Sequence, residues 1–172
     1  MVDGLRERRR LAALVSDQAI ATLESAADPG MALSAGSLDG IILTSDIRGF
    51  TPLCESKPPS EITHLLERHF AAMAPLIAAE GGRIDKFIGD AIQAVFIATP
   101  DGPPAVIRAI RAGQAMLDAM KTLNRDRQAA GLFTYQAGIG IAGGRLLSGA
   151  IGHASTRLDF ALLGPSIARA AE

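Results

Sequence analysis

A single cysteine, Cys54, stands among the 172 residues, so the chain has neither an internal disulfide framework nor a cysteine spacing suited to zinc. A reducing cytoplasm is therefore the expected location. Aromatic residues are scarce at 4 per cent, and charge is balanced, with 17 Lys and Arg against 18 Asp and Glu. A nucleic-acid surface needs a basic excess and rings on which bases stack, so no nucleic-acid partner is expected and a ferredoxin-like RNA binder is disfavoured. Hydrophobic residues reach 48 per cent, yet no apolar run approaches the roughly 18 residues of a membrane span. The first residues, with Arg6, Glu7, Arg8, Arg9 and Arg10, lack the apolar core of a signal peptide. The length fits one globular domain, because single cores commonly take about 100 to 200 residues.

What is present centres on Arg83 to Ala98, RIDKFIGDAIQAVFIA, which reads as two short strands joined by Gly89-Asp90. Asp90 at such a bend is either a turn former bonded to its own backbone or a ligand held on a rigid scaffold. A second acidic turn lies at Leu43 to Thr51, LTSDIRGFT, where the apolar strand Ile41-Ile42-Leu43 runs into Asp46 and then Gly49. A strand, a short glycine-containing loop and a following helix aim backbone N–H groups outward, an arrangement that binds phosphate. Set beside Asp90 on a neighbouring strand, Asp46 completes a pair of carboxylates suited to hard cations that bridge phosphate oxygens.

Around these turns, residues 5 to 25 read as a helix closed by Asp28-Pro29-Gly30, which makes residues 1–30 an N-terminal linker helix. Pro58-Pro59 breaks the chain, and Ser60 is expected to cap a helix to about Ala79, with Pro75 kinking or ending it early. Its stripe of Ile62, Leu65, Leu66, His69, Phe70, Met73, Leu76 and Ile77 is a core face, and Gly81-Gly82 stops it. His64 and His69 lie five apart, off the spacing with which two histidines share a metal on one helix. A second helix after Pro103-Pro104 is expected to bury Val106, Ile110, Leu117, Met120 and Leu123, leaving Arg108, Arg111, Asp118 and Lys121 off that face. Tyr135 to Ile141 and Leu146 to Ile151 read as strands around Gly143-Gly144, with Leu158 to Leu163 as another. The order predicts an α+β ferredoxin-like sandwich with a βαββαβ core and both helices on one face.

The blocks SDIRGFT (45–51), GGRIDKFIGDAIQAVF (81–96), GIGIAGG (138–144), SGAIG (148–152) and RLDFALLGPSIARAAE (157–172) together resemble the catalytic domain of the class III nucleotidyl cyclases. The resemblance runs from about Leu38 to the C-terminus. It implies a cyclase domain over 38–172 that converts ATP to cyclic AMP and pyrophosphate at a dimer interface, with a second copy or another cyclase domain as partner. It also implies that Asp46 and Asp90 bridge two Mg2+ or Mn2+ ions, that the Ile47 carbonyl binds one of them, and that the amides of Gly49, Phe50 and Thr51 meet the β- and γ-phosphates. Lys86 matches the base-reading lysine of adenylate cyclases, whose ammonium donates to an acceptor such as adenine N1. The residue that reads the purine alongside it falls on Ala161, which has no side-chain hydrogen bond to give. The family's ribose-orienting Asn and transition-state Arg fall on Ala168 and Glu172, and the family's domain usually continues further, so the domain reads as C-terminally incomplete. A degenerate domain that holds Mg-ATP or a partner cyclase is the alternative. A diguanylate cyclase or polymerase palm fits less well, since no GGDEF-like signature is present.

Overall fold

The computed structural model describes residues 36–153 and 157–172, and the helix expected over 5 to 25 lies outside them. In chain order the elements are β1 (Gly36–Ile47), α1 (Phe50–Ser56), α2 (Pro59–Ala79), β2 (Arg83–Ile88), β3 (Ala91–Ile97), α3 (Ala105–Ala129), β4 (Ala137–His153), β5 (Arg157–Leu163) and α4 (Pro165–Ala171). The strand order is β2-β3-β1-β4-β5. β3 lies antiparallel to both β1 and β2, so those two run parallel with β3 between them. This is the split βαβ arrangement of a ferredoxin-like sheet, extended beyond β4 by one strand. No helix among the described residues is long and apolar enough to cross a membrane.

The chain divides into two compact units. Asp39–Gly144 and Pro165–Glu172 form the larger, whose core lies between the helices and one sheet face. Alternation selects that face: Leu43 and Ile47 of β1 and Ile92, Ala94 and Phe96 of β3 meet Leu65, Met73 and Ile77 of α2 and Ala109, Ala112, Met116 and Met120 of α3. The smaller unit contains, among the described residues, 36–38, 145–153 and 157–164. Its hairpin pairs Leu147 with Leu163 at one end and His153 with Arg157 at the other.

Helix α2 begins one residue before the expected cap. Pro59 occupies the first turn, where its missing N–H costs nothing, and no side chain caps the end, so Ser60 is not the N-cap. Nor does Pro75 end the helix, which continues to Ala79. Pro75 and Ala71 are both exposed, so the Ala71 carbonyl that loses its donor is open to water. At the far end Gly81 (φ 70°) gives the expected stop: its N–H donates to the Ala78 carbonyl and that of Gly82 to the Ile77 carbonyl. Gly131 closes α3 in the same way, through Gly131 N–H to Gln128 and Leu132 N–H to Arg127.

Two further expectations are overturned. Val106, Ile110 and Leu117 of α3 are exposed at 41, 41 and 44 per cent, while Arg108, Ala109, Ala112, Gly113, Met116 and Met120 are buried. The smaller stripe faces inward because the helix lies close to the sheet: a Cβ at Gly113 would sit 3.5 Å from the Ile139 side chain and 3.6 Å from that of Ile141. Arg108 can be buried with it because its guanidinium donates to the carbonyls of Pro103, Glu80, Gly81 and Ile97. The second correction concerns Gly143-Gly144, which form no turn, since β4 runs unbroken from Ala137 to His153. Their small size is used for packing instead, for a Cβ at Gly143 would come within 2.8 Å of the Ile41 side chain.

Candidate active site

The hairpin of β2 and β3 turns through Gly89 and Asp90, with Ile88 paired to Ala91. Gly89 alone has positive φ (61°), the sense of a two-residue turn with glycine in first position. β1 lies on the other side of β3, with Ser45 opposite Ile92, which brings the last residues of β1 level with the bend. There the Asp90 carboxylate accepts the N–H of Ile47 through Oδ2 at 2.8 Å. Ile47 and Asp90 are thus in contact, and Asp46 is the chain neighbour of Ile47. Asp46 is partly exposed and lies 3.4 Å from the Arg48 guanidinium. Arg48 is itself fixed by its backbone N–H, which donates to the Gln136 carbonyl at 2.8 Å, and its guanidinium occupies the space a Cβ on Gly138 would need.

Past Arg48 the chain turns at Gly49 (φ 69°), the N-cap of α1. No side chain caps this helix, and its first bond runs from Leu53 N–H to the Gly49 carbonyl. The first-turn amides of Phe50 and Thr51 therefore have no acceptor within the helix, and Pro52 has no N–H to satisfy. Phe50 packs against the core and anchors the turn, whereas Thr51 is exposed.

Lys86 owes its direction to an irregularity. Ile84 pairs with Ala94 and Lys86 with Gln93, leaving Asp85 as an extra residue in β2. Such a bulge re-aims side chains. Ile84 and Phe87 both reach the helical side, Phe87 against Phe70 at 4.6 Å between ring centroids, while Lys86 falls in a row with Gln93 and Thr44 across the opposite face. The Asp85 carboxylate is fully buried; Gln93 Nε2 donates to its Oδ2 at 2.7 Å, and Lys86 Nζ lies 3.5 Å from the same oxygen. Lys86 keeps 36 per cent side-chain exposure, enough to offer a donor to a ligand.

Gln93 and the burial of Asp85 were not expected, because an alternating pattern cannot reveal a bulge. His69, read as part of the packing stripe, is fully buried, with Nδ1 3.3 Å from the Tyr135 hydroxyl. Burial lowers its pKa to about 4, against the opposing pull of the Asp90 charge, so it is a neutral ring. Ala161 lies in β5 opposite Gly149. Ala168 and Glu172 are exposed, and Arg169, one position past Ala168, donates to the Gly143 carbonyl at 3.2 Å.

Among the described residues no group of three or more His, Cys, Asp or Glu side chains could hold a metal alone. The Asp46 and Asp90 carboxylates and the Ile47 carbonyl are nevertheless hard oxygen donors, the kind Mg2+ takes together with water or phosphate oxygens. Oδ1 of Asp90 is not the oxygen used by Ile47. The residues present fit a divalent cation shared with a phosphate ligand.

Residues 38–171 match the model of the adenylate and guanylate cyclase catalytic domain family. An uncharacterised protein of Mycobacterium tuberculosis is 33 per cent identical over 99 per cent of this chain and 30 per cent of its own length. An adenylate cyclase of Anabaena cylindrica is 37 per cent identical over 73 per cent of this chain and 25 per cent of its own. The chain thus spans less than a third of these relatives. Among solved structures, the adenylyl cyclase CyaB of P. aeruginosa superposes with a TM-score of 0.73 at 30 per cent identity, covering 81 per cent of this chain and 72 per cent of that one. A guanylyl cyclase superposes with a TM-score of 0.72 at 33 per cent identity, covering 80 and 69 per cent.

Proposed function

Because the chain belongs to the adenylate and guanylate cyclase catalytic domain family, we propose that it binds Mg-ATP and forms cyclic AMP and pyrophosphate at an interface shared with a second cyclase domain. The observation that supports this reading is the Asp90–Ile47 hydrogen bond, which joins the hairpin bend to the end of the strand that carries Asp46. ATP-rich cytoplasm is the matching location.

Asp46, Asp90 and the Ile47 carbonyl would hold two Mg2+ or Mn2+ ions. Bound metal supplies charge neutralisation of the triphosphate and a lowered pKa for the ribose 3′ hydroxyl that attacks the α-phosphorus. The protein's own share is positional. The Ile47 N–H fixes Asp90, while Arg48 stands beside the more exposed Asp46 in a weak surface ion pair. The uncapped amides of Phe50 and Thr51, with Gly49 opening the turn, receive the β- and γ-phosphates. Lys86, tethered by Asp85, donates to adenine N1. Ala161 adds no donor, so ATP is favoured over GTP by one contact. The Anabaena relative's name agrees with ATP, while the solved neighbours include cyclases of both kinds.

Ala168 and Glu172 favour a second reading, in which the domain binds nucleotide or a partner cyclase and turns over little by itself. Alanine cannot orient a ribose, and glutamate brings negative charge towards a triphosphate. Each lost transition-state donor costs roughly 10² to 10³ in rate. The deciding experiment is cyclic AMP formation by the purified chain with Mg2+ or Mn2+, with Asp46→Ala as control. Near-background turnover is expected, and robust turnover abolished by Asp46→Ala would sink the second reading.

A further inference from the structure

Two arginines of α3 are buried, and they are satisfied in different ways. Arg108 spreads its guanidinium over four backbone carbonyls. Arg127, 8 per cent exposed, makes one hydrogen bond, from Nε to the Phe133 carbonyl at 2.7 Å, and lies 4.4 Å from the ring centroid of Phe133 and 5.4 Å from that of Tyr135. It joins none of the ion pairs among the described residues, and its two terminal nitrogens have no acceptor there. Neither terminal nitrogen is sealed from solvent, so the guanidinium offers a ligand-accessible fork of unpaired donors.

Arg127 lines a cavity of about 150 Å3 between α2, the end of α3 and the segment leading to β4. A cavity near that size admits a benzene-sized molecule. Leu123, Leu132 and the Tyr135 ring make its apolar wall, and Arg68 and His64 add positive or titratable groups from α2. His64 stands 3.9 Å from Glu67 and so is partly compensated, and Asp126 is the one acid on the lining. Two arginines against one aspartate leave the cavity with a surplus positive charge, carried in part by a residue only 8 per cent exposed.

We propose that this cavity is a binding site for a small monocarboxylate with a compact apolar body. The carboxylate pairs with Arg127 and Arg68, in charge-assisted bonds that planar guanidinium groups favour. The body rests on Leu123, Leu132 and Tyr135. The lining includes neither Asp46, Asp90 nor any hairpin residue, and the proposal does not depend on the cyclase reading.

The test titrates benzoate and, separately, neutral benzamide into the full chain, following backbone amide resonances by NMR. Benzoate is expected to saturate with a dissociation constant around millimolar or tighter, about 4 kcal/mol, with the largest shifts at Ala130, Leu132 and Tyr135. Benzamide is expected not to saturate. Arg68→Gln, a change at an exposed side chain that leaves the core alone, should weaken benzoate about tenfold, the loss of one charge-assisted contact. Leu132→Glu, which sets a carboxylate on the lining, should abolish binding. Equal binding of benzoate and benzamide, no saturable benzoate shift, or benzoate affinity indifferent to both variants would each overturn the proposal.

Discussion

Asp90 and Ile47, 43 residues apart in sequence, are joined at 2.8 Å by a carboxylate oxygen and a backbone N–H. The same carboxylate therefore serves the fold, and the two services can be separated by substitution. Asp90→Ala leaves a part-buried donor unsatisfied and should cost about 1 to 3 kcal/mol of stability in denaturant titration. Asp90→Asn keeps an acceptor for Ile47 and should hold stability near wild type while losing the negative charge. Asp46→Ala, at a more open position, should leave stability unchanged. All three should weaken Mg-ATP binding in calorimetry, and titration curves matching wild type would remove both aspartates from the site.

The bulge at Asp85 makes Lys86 the residue to test for base choice. Lys86→Glu removes the donor to adenine and sets a second carboxylate beside the buried one of Asp85. The ratio of ATP to GTP affinity should fall about tenfold, the worth of one hydrogen bond from a charged donor. Stability measured on the same sample separates this from unfolding. An unchanged ratio in a folded variant means that Lys86 does not read the base.

Complementation tests the shared site. A homologous cyclase carrying intact Asn and Arg positions but mutated metal aspartates has what this chain lacks, and this chain has what that variant lacks. Mixing the two should raise cyclic AMP production well above the sum of the separate rates. Including Asp46→Ala in this chain should return the mixture to background, and a mixture no more active than its parts would count against a shared interface.

His69 gives the fold a pH dependence of known sign. Its folded pKa is about 4 against an ordinary 6.5, so between these values the unfolded chain binds a proton that the folded chain refuses. The contribution is complete above pH 6.5 and is lost as pH falls towards 4, by at most about 3 kcal/mol. Stability curves of wild type and His69→Gln should converge across that window, since glutamine does not titrate. Parallel curves would show that protonation of His69 has no such cost.

The parts legible in the sequence are those where one periodic signal stands alone. On α2 the stripe of Ile62, Leu65, His69, Met73 and Ile77 is buried as read, and the Gly89-Asp90 bend has no competing interpretation. On α3 two stripes compete, one of large apolar residues and one of alanine, glycine and methionine, and hydropathy favours the larger. Close packing against Ile139 and Ile141 selects the smaller, and side-chain size matters there more than transfer energy. A bulge changes the phase of an alternating pattern without changing its composition, which hid the burial of Asp85 and its bond to Gln93. At Gly143 and Gly144 the sequence signal for a turn is the same as that for close backbone approach, and the strand that passes straight through them takes the second meaning.

The outward row of Val106, Ile110 and Leu117 has a colloidal consequence. Exposed apolar side chains on adjacent turns raise the attraction between molecules in concentrated solution without adding to the internal packing of any one of them. Lysine at all three positions would therefore raise the concentration at which the protein precipitates while leaving its melting temperature nearly where it was. Solubility and thermal stability, commonly tuned together, are set on different faces of the same helix.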